Sequence, residues 1–110
     1  MKSRYYVLKN GVVTGTDDMF EWGTFFEETA ARRVDFTQVG ELEVSTVFLG
    51  LDHNCSGEGA PVLFETMVFD KDRQGIGCRR YSTYGEAHAG HWEVVEELRE
   101  NSDDAIGRNC

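Results

Sequence analysis

The chain has 110 residues, 40% hydrophobic and 12% aromatic, with 20 acidic against 11 basic side chains and a formal net charge of −9. A chain of this length buries roughly two-thirds of its unfolded surface in one core, which leaves no room for a second, and a charged fraction of 28% with a single proline argues against disorder. No apolar run approaches the roughly 20 residues of a membrane span, and the acidic balance repels nucleic-acid phosphates, so neither a membrane nor direct nucleic-acid binding is expected.

Met1-Lys2-Ser3-Arg4-Tyr5-Tyr6 runs directly into a strand-like pattern with no apolar leader, from which a location in the cytoplasm is expected. Cys55, Cys78 and Cys110 are widely spaced and form no C-x-x-C pair. That pattern indicates neither a disulfide framework nor a cysteine zinc site, and reduced thiols are expected.

In chain order, Tyr5-Tyr6-Val7-Leu8 and Val12-Val13-Thr14 flank Asn10-Gly11, a pair that tolerates the positive φ angles of a tight hairpin. Asp17 or Asp18 then caps a helix, with Asp18 and Glu21 forming a capping-box-like pair. Helical spacing gathers Met19, Trp22, Gly23, Phe26 and Ala30 on a core side, flanked by Phe20 and Phe25. After the mixed stretch Val34 to Val39, Gly40-Glu41 turns the chain into Leu42 to Leu51. This segment alternates at first and is then apolar on both faces, as a strand moving into the centre of a sheet should be. Asp52 to Pro61 reads as a loop, Val62 to Phe69 as a second central strand, Asp70 to Gly77 as a turn and Cys78 to Tyr81 as a short edge strand.

Thr83-Tyr84-Gly85-Glu86 matches a capping box at the start of the last helix. At about 100° per residue, Tyr84, Ala87, His91, Val94, Val95 and Leu98 share one stripe, and Glu86, Glu93, Glu96, Glu97 and Glu100 gather opposite. Ser102 to Cys110 has no periodicity and is expected to be a flexible tail. The expected fold is α+β over residues 1–101, an antiparallel sheet of about five strands packed against two amphipathic helices in the order ββαβββ(β)α.

Several polar groups could carry chemistry. Asp52-His53-Asn54 ends a central strand, where a rigid sheet can position binding groups, although Asx-type turns account for the same residues. Glu65 shares its strand face with Leu63, Met67 and Phe69, so it is either a carboxylate poised by burial or half of an ion pair with Arg79, Arg80 or His91. His88 and His91 are three apart, a spacing that lets two histidines approach one metal, with His53 and Asp52 as candidate third and fourth ligands. The spacing is not that of a zinc-protease helix, however, and His91 is better read as a hydrogen-bonded core residue. No cofactor or metal is expected. Ser45, Ser56 and Ser82 lack a nucleophile elbow, and Gly57-Glu58-Gly59 and Gly75-Ile76-Gly77 lack the lysine and following helix of a phosphate loop. The glutamates of the last helix, with Asp103 and Asp104 beyond, form either a solvated face or an imitation of nucleic-acid charge.

The segments Glu43 to Asn54, Leu63 to Phe69, Arg80-Tyr81-Ser82-Thr83, Glu86-Ala87 and Ala89-Gly90-His91 resemble a family of small uncharacterised bacteriophage and prophage proteins, over most of residues 34–98. Where related sequences carry more than one proline and a glycine-rich turn, this chain has Pro61 and Asp70-Lys71-Asp72. The resemblance implies a phage accessory protein that is not an enzyme. Such a protein would bind and inhibit a host protein, for instance in a defence system such as CRISPR, through Glu86, Glu93, Glu96, Glu97 and Glu100. An alternative is a nucleotide-signal sponge or minor hydrolase using Asp52, His53, Asn54, Glu65 and His91, and a further one is a structural protein of the phage particle.

Overall fold

The structure, a computed structural model, describes residues 5–28, 32–54 and 58–101. β1 (Tyr5–Lys9) and β2 (Val12–Thr16) form an antiparallel hairpin whose turn holds Asn10 and Gly11 at φ 52° and 81°. After α1 (Met19–Glu27), β3 (Arg33–Val39), β4 (Leu42–Phe48), β5 (Phe64–Phe69) and β6 (Gly75–Tyr81) form an antiparallel sheet in sequence order, and α2 (Tyr84–Asn101) packs across all four strands.

The chain is therefore α+β, with a two-stranded and a four-stranded sheet rather than one continuous sheet. The hairpin joins the larger sheet through a bridge between Tyr5 and Leu51 and a 2.8 Å hydrogen bond from the Tyr6 N–H to the Gly50 carbonyl. Val34 to Val39 lies in the edge strand β3. No helix among the described residues is long and apolar enough to cross a membrane. The expected flexible tail over 102–110 lies outside the described residues.

Burial follows the period-two pleat. Val44, Thr46 and Phe48 on β4 and Phe64, Thr66 and Val68 on β5 face α2 and are buried. One core cluster joins Val44 and Val68 to Val94, Val95 and Leu98, and a second joins Phe48, Leu63 and Phe64 to Ala87, with Phe25 and Leu8 from the α1 and hairpin side. The stripe expected on α2 is confirmed from Ala87 to Leu98, while Tyr84 remains partly exposed at its start. Gly90 completes this face because a Cβ there would run into the Tyr81 ring.

The orientation of α1 differs from expectation. None of its residues is buried, and Met19 and Phe20 are 50% and 84% exposed. Phe25, expected at the flank, instead meets Phe48 edge-on with ring centroids 5.8 Å apart, while Trp22 stacks on Phe26. At nine residues the helix is held by its ends as much as by a face. Asp18 accepts from the Phe20 and Glu21 N–H groups. Glu21 turns away from the expected capping-box contact to accept from the Thr16 hydroxyl at 2.9 Å and from Lys9 at 3.2 Å, and these bonds hold its carboxyl below the ordinary range. Trp22 Nε1 donates to the Gly50 carbonyl at 2.9 Å. Gly50 has φ 78°, and a Cβ on it would lie 3.2 Å from that indole nitrogen, so glycine is what lets the helix dock there. Ala30, also expected on this face, lies outside the described residues.

A second correction concerns sulfur. Cys78 is disulfide-bonded, against the expectation of reduced thiols; Cys55 and Cys110 lie outside the described residues. Sequence spacing cannot reveal such a link, because the strand that presents Cys78 is set by tertiary pairing.

Candidate functional site

The loop after β4 is organised by its own polar side chains. Asp52 Oδ1 accepts from the N–H groups of Asn54 at 2.8 Å and Val62 at 2.9 Å, closing the loop across its neck. Asn54 Nδ2 donates to the carbonyls of Glu58 and Ala60. The His53 N–H donates to the Val62 carbonyl, and its Nδ1 lies 2.8 Å from the Leu51 carbonyl, which fixes that nitrogen as a donor. Unpaired loop backbone is thereby satisfied by Asx-type bonding, and Asp52 and Asn54 carry architecture.

Glu65 and His91 lie on opposite faces of the sheet. Glu65 points away from α2 and accepts from Arg80 Nε at 3.0 Å, across the β5–β6 pair in which the two residues are directly opposed. Cys78 Sγ is 3.5 Å from the same carboxylate. A disulfide sulfur has no hydrogen to donate, so that approach is a packing contact. Asp52, His53, Asn54, Glu65 and His91 therefore do not converge on one pocket. Among the described residues no three His, Cys, Asp or Glu side chains gather where a metal could be held.

His91 is fully buried under α2. Its Nδ1 meets the Thr46 hydroxyl at 2.8 Å and its Nε2 the Thr37 hydroxyl at 2.9 Å, and Thr46 in turn bonds Thr66, its direct cross-strand partner. Burial lowers the imidazole pKa below the ordinary 6.5, opposed by the charge of Asp35 and aided by His88. With both nitrogens engaged and no solvent contact, this ring joins α2 to β3 and β4 and is not placed to meet a substrate. His88 is a surface residue whose Nδ1 is 2.7 Å from Asp35 Oδ2. Next to the network, the Tyr81 hydroxyl is buried beside Thr66, and burial raises its pKa, opposed by that hydroxyl.

The outer face of α2 offers a surface of another kind. Glu86 is used locally, since its Oε1 accepts from the N–H groups of Ser82 and Thr83 and from the Thr83 hydroxyl, while Thr83 Oγ1 accepts from the Glu86 N–H. Glu97 and Glu93 both turn toward Arg79, at 2.7 and 3.9 Å. Glu96 and Glu100 are exposed and make no ion pair among the described residues. Among these glutamates stands Trp92, 42% exposed, with Ala89, Glu93, Glu96 and Glu97 around a shallow depression beside it. Its ring meets buried His91 edge-on at 5.1 Å, so the indole is braced from below while its outer side is open to solvent.

Sequence reading passed over Trp92 because it falls roughly 100° from His91 on the helix, off the apolar stripe and within the acidic face. An aromatic residue flanked by glutamates on the outer side of a capped helix was the available signal. Compared with protein-family models, curated proteins and solved structures, the chain matches none.

Proposed function

We propose that this protein is a non-enzymatic binding protein whose outer α2 face occupies a basic surface of a host protein. The observation that carries the reading is Trp92, exposed at the border of a face bearing Glu93, Glu96, Glu97 and Glu100. Exposed tryptophans braced by neighbours are favoured anchors in protein interfaces, and the surrounding carboxylates supply steering toward a positive partner. In a chain of net charge −9 this arrangement favours a partner that normally holds nucleic acid.

The resemblance to phage and prophage proteins supports placing this contact in an infected bacterial host, where it would inhibit a component such as a defence system, CRISPR among them. That reading puts the protein in the host cytoplasm. The disulfide at Cys78 pulls the other way, since such links persist mainly in oxidising compartments. Affinity capture from host lysate should retain a partner with the wild-type chain and release it on addition of a nucleic-acid polyanion. Trp92→Ala combined with Glu96→Lys and Glu100→Lys should abolish capture while leaving the fold intact, and capture that survives this triple change would contradict the reading.

A further inference from the structure

The sheet face turned away from α2 holds a cleft of about 340 Å³, lined by Arg33 and Phe36 from β3, Glu43 and Ser45 from β4, Phe69 from β5, and Arg73 from the β5–β6 turn. This volume lies within the range of small-molecule sites, roughly 300–1,000 Å³. Two guanidinium groups open onto it, and neither makes an ion pair among the described residues, although the chain carries 20 acidic side chains.

The Arg33 side chain and the Arg73 backbone are held by contacts that leave the guanidinium donors available. The Arg33 guanidinium sits over the Phe36 ring, 4.9 Å from its centroid, a contact that uses its π face and not its N–H groups. Arg73 has φ 63°, a left-handed conformation uncommon for a side chain of this size. The turn imposes it: Asp70 Oδ1 accepts from the N–H groups of Asp72 and Gln74, and the Arg73 N–H donates to the Asp70 carbonyl. Phe36 itself is 44% exposed.

We infer that this cleft binds a nucleoside monophosphate. Arg33 and Arg73 match a phosphate dianion through charge-assisted, fork-shaped hydrogen bonds, and Phe69, with the exposed edge of the Arg33–Phe36 stack, matches a planar base. Glu43 decides against a purely anionic aromatic ligand, because a carboxylate in the cleft calls for a hydrogen-bond donor on the ligand, which base amino groups and sugar hydroxyls supply. The site lies on the other side of the sheet from α2 and stands independently of the partner-binding reading.

The test is a titration of the full-length ¹⁵N-labelled chain, followed by amide resonances, with adenosine, guanosine, cytidine and uridine 5′-monophosphates, with the parent nucleosides, and with inorganic phosphate. At least one monophosphate should bind about tenfold more tightly than its nucleoside or phosphate alone, moving resonances of β3, β4 and residues 70–74. Arg33→Gln and Arg73→Asn should each weaken binding about tenfold without changing the melting temperature, asparagine being chosen because it tolerates the left-handed backbone. The inference is overturned if no monophosphate binds, if phosphate or nucleoside alone binds equally well, if the shifts map to α2, or if both variants bind normally.

Discussion

The same two strands solve opposite problems on their two faces. Toward α2, Val44, Thr46, Phe48, Phe64, Thr66 and Val68 are at most 1% exposed, and Thr46 and Thr66 are paired with each other and with His91. Away from α2, Glu43, Ser45, Val47, Glu65, Met67 and Phe69 are only half-buried, beneath arginines that reach over them. The buried face contains polar side chains and the open face contains large apolar ones. Burial here follows pleat geometry, and residue polarity follows whether a partner is within reach.

The largest test of this contrast is His91→Ala. Removing the ring opens a cavity, strips the Thr37 hydroxyl of its partner and leaves Thr46 with Thr66 alone, and a loss of about 3 kcal/mol is expected in chemical denaturation. Next, Gly90→Ala drives a methyl group against the Tyr81 ring and should cost about 2 kcal/mol. Tyr81→Leu in the same chain should recover much of that loss, whereas on a helix free of such contact alanine would stabilise.

Acid should act on the same buried face. The unfolded chain protonates His91 near its ordinary 6.5, while the folded chain, with Thr37, Thr46, Trp92, Asp35 and His88 around the ring, resists until a lower pH. The stability held by the neutral ring is thus complete above about pH 6.5 and is lost as pH falls from there toward the folded value. His91→Gln should flatten this part of a stability–pH curve, and an unchanged slope would deny His91 the role. On the open face, Arg80→Gln should cost under about 1 kcal/mol, because its pair with Glu65 is partly solvated.

Much of the fold was legible because local signals agreed with one another. Asn10-Gly11 made its hairpin, Thr83 and Glu86 made their capping box, and the stripe from Ala87 to Leu98 became the inner face of α2. His91 was readable as a hydrogen-bonded core residue from its place on that stripe. The parity of Val62 to Phe69 was harder, since Glu65 shares its face with Met67 and Phe69 while the buried side carries Thr66. Only the cross-strand partners Thr46 and Arg80 show why each is tolerated. The separation of the hairpin from the larger sheet, the disulfide at Cys78 and the cleft between Arg33 and Arg73 arise from contacts distant in sequence, for which no local pattern exists. The Asp52 loop drew attention for a sound reason, but its carboxylate and amide are used to close the loop.

The proposed function requires that the exposed face of α2, and not the sheet face behind it, carry the protein partner. The most direct measurement is quantitative affinity capture from host lysate with three baits in parallel: the wild-type chain, the Trp92→Ala/Glu96→Lys/Glu100→Lys chain, and the Arg33→Gln/Arg73→Asn chain, each first shown to melt within a few degrees of wild type. If the α2 face binds the partner, a basic protein is enriched by the first and third baits, released by polyanion, and lost with the second. A partner retained by the second bait and lost with the third would contradict it.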